Sequence, residues 1–158
     1  VDINELTNLT NTTFGTDNFG AGDHIAVADA SASNATKRVK LPVEIGIAVS
    51  DETTDLTTGT SKVSFKMPHA MTLTEVRAYV NTVPTGATII VDINDDGTPI
   101  LSTKLSIDIS EDTSTSAATP AVLSDTFLDD DTTVSIDIDQ VGSTAAGKGL
   151  KIWLIGYR

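Results

Sequence analysis

The sequence predicts an all-β chain: an antiparallel β-sandwich, jelly-roll-like, with a short N-terminal arm or hairpin ahead of it. Three observations carry this. Beyond residue 42, apolar and polar residues alternate at period 2 in one segment after another. The segments are short, spaced at roughly 8–15 residues and separated by Gly, Pro, Asp and Thr turns. Thr, Val and Ile, stiff at χ1 and suited to a pleated surface, outweigh the strong helix formers. Aromatics make up only 4 % of the chain, so the core has to be aliphatic.

Residues 1–42 read as an attachment arm. A polar, glycine-punctuated stretch leads to His24-Ile25-Ala26-Val27-Ala28. A small-residue turn over residues 30–36 follows, then Lys37-Arg38-Val39-Lys40-Leu41. Two short strands around a loop make a hairpin. Lys37, Arg38, Lys40 and, further on, Lys62 make this end of the chain less acidic than the rest, and Pro42 marks the boundary. The sandwich domain is residues 43–158. Val43, Ile45, Ile47 and Val49 share one face of its first strand, and Val63, Phe65 and Met67 one face of the next. In 71–80 the apolar parity switches from Met71 and Leu73 to Val76, Ala78 and Val80. A β-bulge near Thr74–Glu75 reconciles the two halves, and the rival reading is a helical turn; Thr72, Thr74, Val76, Tyr79 and Val80 favour the strand.

Ala87, Ile89, Val91 and Ile93 lead into an Asp96-Gly97 hairpin turn, and Leu101, Leu105, Ile107 and Ile109 return from it. After a polar loop over 110–120, Val122 to Phe127 form a short strand, and Val134, Ile136 and Ile138 alternate in another. The last strand, Leu150 to Tyr157, is apolar on both faces: Leu150, Ile152 and Leu154 on one, Trp153, Ile155 and Tyr157 on the other. A strand of that kind is covered on both sides. The cover expected here is the arm or a neighbouring subunit.

Charge narrows the function. Ten Lys and Arg against 22 Asp and Glu give a formal charge of −12, which disfavours nucleic acid and anionic membrane surfaces as partners. No apolar run approaches the roughly 20 residues of a membrane-spanning helix, and no basic-then-apolar leader is visible. Cysteine is absent, which excludes disulfides and thiolate chemistry. His24 and His69 are far apart in sequence and form no helical ligand pair. No nucleophile elbow, phosphate loop or dinucleotide fingerprint occurs, so no enzyme activity and no cofactor are expected. Asp92-Ile93-Asn94-Asp95-Asp96-Gly97 matches the first half of an EF-hand loop and makes Asp92, Asn94 and Asp96 candidates for weak calcium binding. Position 12 of that loop is Thr103 where a bidentate Glu is needed, so a plain hairpin turn is the expectation.

Several segments resemble a module of tailed-phage virion structural proteins. They are Ser64-Phe65-Lys66-Met67-Pro68, residues 71–78, Val91-Asp92-Ile93-Asn94, residues 100–105, residues 136–144 and the closing Gly149-Leu150-Lys151 with Leu154-Ile155-Gly156. The arm is similar in style to N-terminal segments that fasten β domains to phage particles. The resemblance implies no catalytic residues. It implies a virion structural protein; the short chain of one sandwich and an arm, its apolar last strand and its acidic surface narrow the expectation to a capsid decoration (cement) protein on the virion surface, bound to the major capsid protein or another virion protein. A homo-oligomer, expected as a trimer, would contact its neighbours through Lys37, Arg38, Lys40, Trp153, Ile155 and Tyr157. The alternative is a host-recognition or glycan-binding module of a tail or head fibre.

Overall fold

The computed structural model describes residues 40–158 and the backbone of two earlier segments, 26–29 and 35–38. The chain divides into two units, residues 1–39 and 40–158. In the first, β1 (Ala26–Asp29) pairs antiparallel with β2 (Ala35–Arg38), Ala26 opposite Arg38 and Asp29 opposite Ala35. This is the expected hairpin, with its strands set closer around the small-residue segment. His24 and the polar stretch before it lie outside the described residues. Lys40 and Leu41 belong to the second unit, where Leu41 and Arg158 exchange backbone hydrogen bonds. Pro42 therefore opens a strand and does not close the arm.

The second unit contains β3 (Pro42–Ala48), β4 (Gly59–Lys66), β5 (Met71–Tyr79), β6 (Ile89–Asp95), β7 (Thr98–Pro99), β8 (Leu101–Thr103), β9 (Leu105–Ile107), β10 (Val122–Leu123), β11 (Phe127–Leu128), β12 (Thr133–Gln140) and β13 (Lys151–Tyr157). One sheet has the order β11-β5-β13-β3. The other runs β4-β12-β6, with β7 and β9 both paired to the far side of β6. Every pairing is antiparallel. β3 pairs β13, β4 pairs β12, β5 pairs β11 and β6 pairs β9. These are the rungs of one long folded ribbon. Rolling that ribbon brings β5 against β13 and β6 against β12. That winding is a jelly roll.

Period-2 alternation produces the core. Ile47, Leu73, Val76, Ala78, Ile152 and Leu154 point inward from the first sheet, and Val91, Ile93, Ile107, Val134, Ile136 and Ile138 from the second. Burying each Leu, Ile or Val side chain fully contributes about 1.5–3 kcal/mol. The parity switch in β5 is a bulge at Thr74: Leu73 faces Gly156 and Glu75 faces Ile155, leaving Thr74 as the extra residue. Its hydroxyl donates to the Ile155 carbonyl at 3.2 Å. The bulge presses the strands together so closely that a Cβ on Gly156 would collide with the Thr72 carbonyl oxygen.

Two expectations on the return from β6 need correction. Asp96 and Gly97 both have positive φ, +44° and +83°, in the two-residue turn that joins β6 to β7, as a type I′ turn requires. The return strand, however, does not run unbroken to Ile109. It pairs at Pro99, leaves β6 as β8 to pair with β10, and rejoins at Leu105. Ile109 lies beyond β9 and is half exposed. The segment 122–127 is likewise two short strands, β10 on β8 and β11 on β5, with Val122 and Phe127 about half exposed. Between β9 and β10 the loop carries a single 3-10 turn, Ser114–Ser116, capped by the Thr113 hydroxyl.

A candidate interaction face

The inward residues of β13 are completely buried, so the alternate positions Lys151, Trp153, Ile155 and Tyr157 are held on the outside of the first sheet. Each is partly covered by its neighbours. The ladders set these four in rows across the sheet. Tyr157 lies between Pro42 and Thr72, Ile155 between Glu44 and Glu75, Trp153 between Gly46 and Arg77, and Lys151 between Ala48 and Tyr79. Trp153 is therefore a surface-sheet residue and not part of the core. Its indole lies toward Gly46, where a Cβ would stand 3.3 Å from Nε1.

Charges frame this stripe. Arg77 grips Glu75 with two hydrogen bonds, Nε to Oε1 at 2.7 Å and Nη2 to Oε2 at 2.9 Å. That fork holds the Glu75 carboxyl below its ordinary pKa. The Lys40 ammonium sits 3.7 Å from the centre of the Tyr157 ring. Hydrogen bonding and charge from Lys40 also hold the Tyr157 hydroxyl below the usual phenol value. At the other end Lys151 pairs with Glu52 and lies 5.7 Å over the Tyr79 ring. Beside Trp153 is an open depression of about 390 Å³ lined by Glu44, Arg77, Tyr79, Thr113, Thr115 and Ile155. A planar indole edged by a carboxylate, a guanidinium and hydroxyls is equipped for binding.

Of the contact residues expected from the sequence, Lys40, Trp153, Ile155 and Tyr157 are in this unit, and the ammonium of Lys40 meets Tyr157. Lys37 and Arg38 are on β2, and their side chains lie outside the described residues. Sequence reasoning misses Glu44, Arg77 and Tyr79. Their outward parity on β3 and β5 is the available signal, but only strand order places them beside Trp153.

The calcium candidates do not converge. Asp92 and Asn94 are in β6, not in a loop, and both are buried. Asp92 accepts from the Ile93 backbone N–H at 2.9 Å and pairs with Lys104 Nζ at 2.9 Å. Lys104 also bonds Asp139 at 2.5 Å, and the two carboxylates push the Lys104 ammonium pKa well above its ordinary value. Asn94 donates to Asp137 at 3.1 Å. Asp96 accepts from the Thr133 backbone N–H at 3.0 Å. Each of the three side chains is thus engaged by a different partner within the chain. Among the described residues no three His, Asp or Glu side chains converge as a metal-holding group. His69 is in the turn after Pro68, with its Nε2 buried and unpartnered.

The fold and face define an acidic jelly-roll domain with a half-covered aromatic and aliphatic stripe on the outside of one sheet. Compared with protein-family models, characterised proteins and solved structures, the chain matches none.

Proposed function

We propose that this chain is a phage virion structural protein of the capsid decoration (cement) type, acting through protein–protein contacts on the particle surface and without catalysis. The observation that carries this reading is the outward Trp153–Ile155–Tyr157 stripe on a sheet whose inner face already has a complete core. Aromatic residues so placed, ringed by the Arg77–Glu75 pair and Lys40, have the composition of a contact centre with a polar rim. The net charge of −12 keeps free copies apart until specific contacts form. The resemblance of the body segments to phage modules supplies the setting, and the N-terminal hairpin supplies a second element for attachment to the major capsid protein or another virion protein. Titration of the purified full chain onto tailed-phage capsids stripped of decoration protein tests the reading. Saturable binding at a fixed ratio to the shell subunits is expected. No binding to the shell, together with antibody labelling of tails alone, would contradict it.

The depression beside Trp153 favours one second reading, a glycan-binding module of a tail or head fibre. Its indole, Tyr79, Glu44 and Arg77 are the groups that stack on and hydrogen-bond a sugar. Saturable binding on a glycan array, lost in Trp153→Ala, would select this reading over the first.

A further inference from the structure

We infer that the edge of β3 left unpaired within residues 40–158 is a self-complementary surface that takes a second copy of this chain, β3 against β3 in antiparallel register about a two-fold axis. This is independent of where the protein sits on a particle. Unpaired sheet edges invite strand addition, and folded domains blunt them with charge, bulges, proline or brevity. Three edges of this sandwich are blunted. β4 carries Lys62 and Lys66, a positive φ at Ser61 and a register shift against β12. β11 has two residues. Beyond β6 the edge is broken between β7, which contains Pro99, and β9. β3 is blunted least: its seven residues form an unbroken ladder with β13, its proline, Pro42, stands at the first position, and Glu44 is its single charge. Within residues 40–158 no strand lies on its other side.

The register follows from the hydrogen bonds. Leu41 and Arg158 exchange both backbone bonds, at 3.3 and 3.1 Å, and Val49 donates to Leu150 at 2.8 Å. Odd-numbered residues therefore point their backbone groups at β13, and the even ones, Glu44, Gly46 and Ala48, point theirs away from it. Pro42, which lacks an N–H, falls on the outward set at the strand's first position and costs the β13 ladder nothing. Two-fold pairing centred on Gly46 joins outward groups to outward groups: Gly46 meets Gly46 of the second copy, and Glu44 meets its Ala48. Lys151 is the next residue in the row behind Ala48. Across the small Ala48 side chain, Glu44 of each copy then faces Lys151 of the other, twice by symmetry. Centring on Glu44 would instead oppose two carboxylates. At the axis the two glycines leave room for both Trp153 side chains, and the aromatic stripe continues across a joined sheet.

A charge swap tests this on the full chain, weighed by light scattering at about 0.1 mM subunit and about 0.15 M salt, where a modest edge interface is populated and the overall negative charge is screened. Wild type is expected to be a dimer. Glu44→Lys places two lysines together and Lys151→Glu two glutamates, so each variant alone is expected to dimerise at least about tenfold more weakly. Mixed in equal amounts, the two variants are expected to recover the dimer. In the mixed pair the lysine introduced at position 44 of one copy faces the glutamate introduced at position 151 of the other, and the native Glu44 and Lys151 face each other across the axis. Amide exchange in wild type gives a reading without variants: the Glu44, Gly46 and Ala48 N–H groups are expected to be slow. A monomeric or trimeric wild type, fast exchange at those three amides, or a mixture of folded variants no more dimeric than its components would overturn the inference.

Discussion

Trp153 and Gly46 are opposite each other in the β13–β3 ladder, and the indole occupies space that any side chain on residue 46 would share. The close atom is the end of a rotatable ring, so it can yield. Gly46→Ala is expected to change stability by no more than about 1 kcal/mol while tilting the indole outward. Because the chain has one Trp, its emission reports that tilt directly, as a shift to longer wavelength. An unchanged spectrum would mean that the ring does not rest on Gly46.

The two faces of β13 differ in what they support. Leu154 is fully buried, and Leu154→Ala is expected to cost about 2–5 kcal/mol by leaving a cavity. Among the described residues Trp153 packs against the outside of the sheet, and Trp153→Ala should cost about 1–2 kcal/mol and leave a folded domain. Urea midpoints of the two variants check the order. A larger loss at Trp153 would place that side chain in the core.

Lys104 reaches Asp92 only because the chain leaves β6 between Pro99 and Leu105 and returns. Asp92 is buried and lies directly across the ladder from Asp137, so without the ammonium two carboxylates face each other. Lys104→Met is expected to destabilise by about 1–3 kcal/mol, the exposed lysine tempering the buried-pair value. Adding Asp92→Asn should recover part of the loss in a double-mutant cycle. Additive effects would show the pair to be uncoupled.

Two exposed carboxylates tie acid stability to loop structure. Asp51 accepts backbone N–H bonds from Thr54 at 2.6 Å and Thr53 at 2.7 Å, and these donors hold its pKa well below the usual carboxylate value. The Thr133 N–H does the same for Asp96. A lowered folded-state pKa gives stability that is complete above the unfolded value, near 4, and is lost as pH falls through the folded values. Wild-type denaturant midpoints should therefore decline below about pH 4. In the double variant Asp51→Asn, Asp96→Asn, which keeps the acceptor oxygens but not the charges, that decline should be shallower. Parallel curves would contradict the assignment.

Where burial follows local alternation, the fold was legible in the sequence. The switch from Leu73 to Val76 announced the bulge at Thr74, and Asp96-Gly97 announced the turn, because both are fixed by neighbours along the chain. The excursion through Leu101 was not legible. Leu101, Leu105 and Ile107 keep one parity whether the strand is continuous or broken, and what breaks it is pairing with Val122 and Leu123, some twenty residues away. The same distance effect hid the partners of Asp92 and Asn94. Their spacing suits a loop of oxygen ligands, yet Lys104 and Asp137, supplied from elsewhere in the chain, make them buried members of β6. The outward stripe was visible as the second apolar face of β13. Its companions Glu44, Arg77 and Tyr79 depend on strand order, which alternation alone does not encode.

On the proposed reading, the outward stripe of β13 is a binding centre and not a structural one. The most direct measurement is sedimentation of stripped tailed-phage capsids with wild type or with Trp153→Ala, after circular dichroism has established that the variant is folded. Saturable binding of wild type is expected, with at least about a tenfold loss of affinity in the variant, the scale of a truncated contact-centre aromatic. Equal binding by both proteins would contradict it.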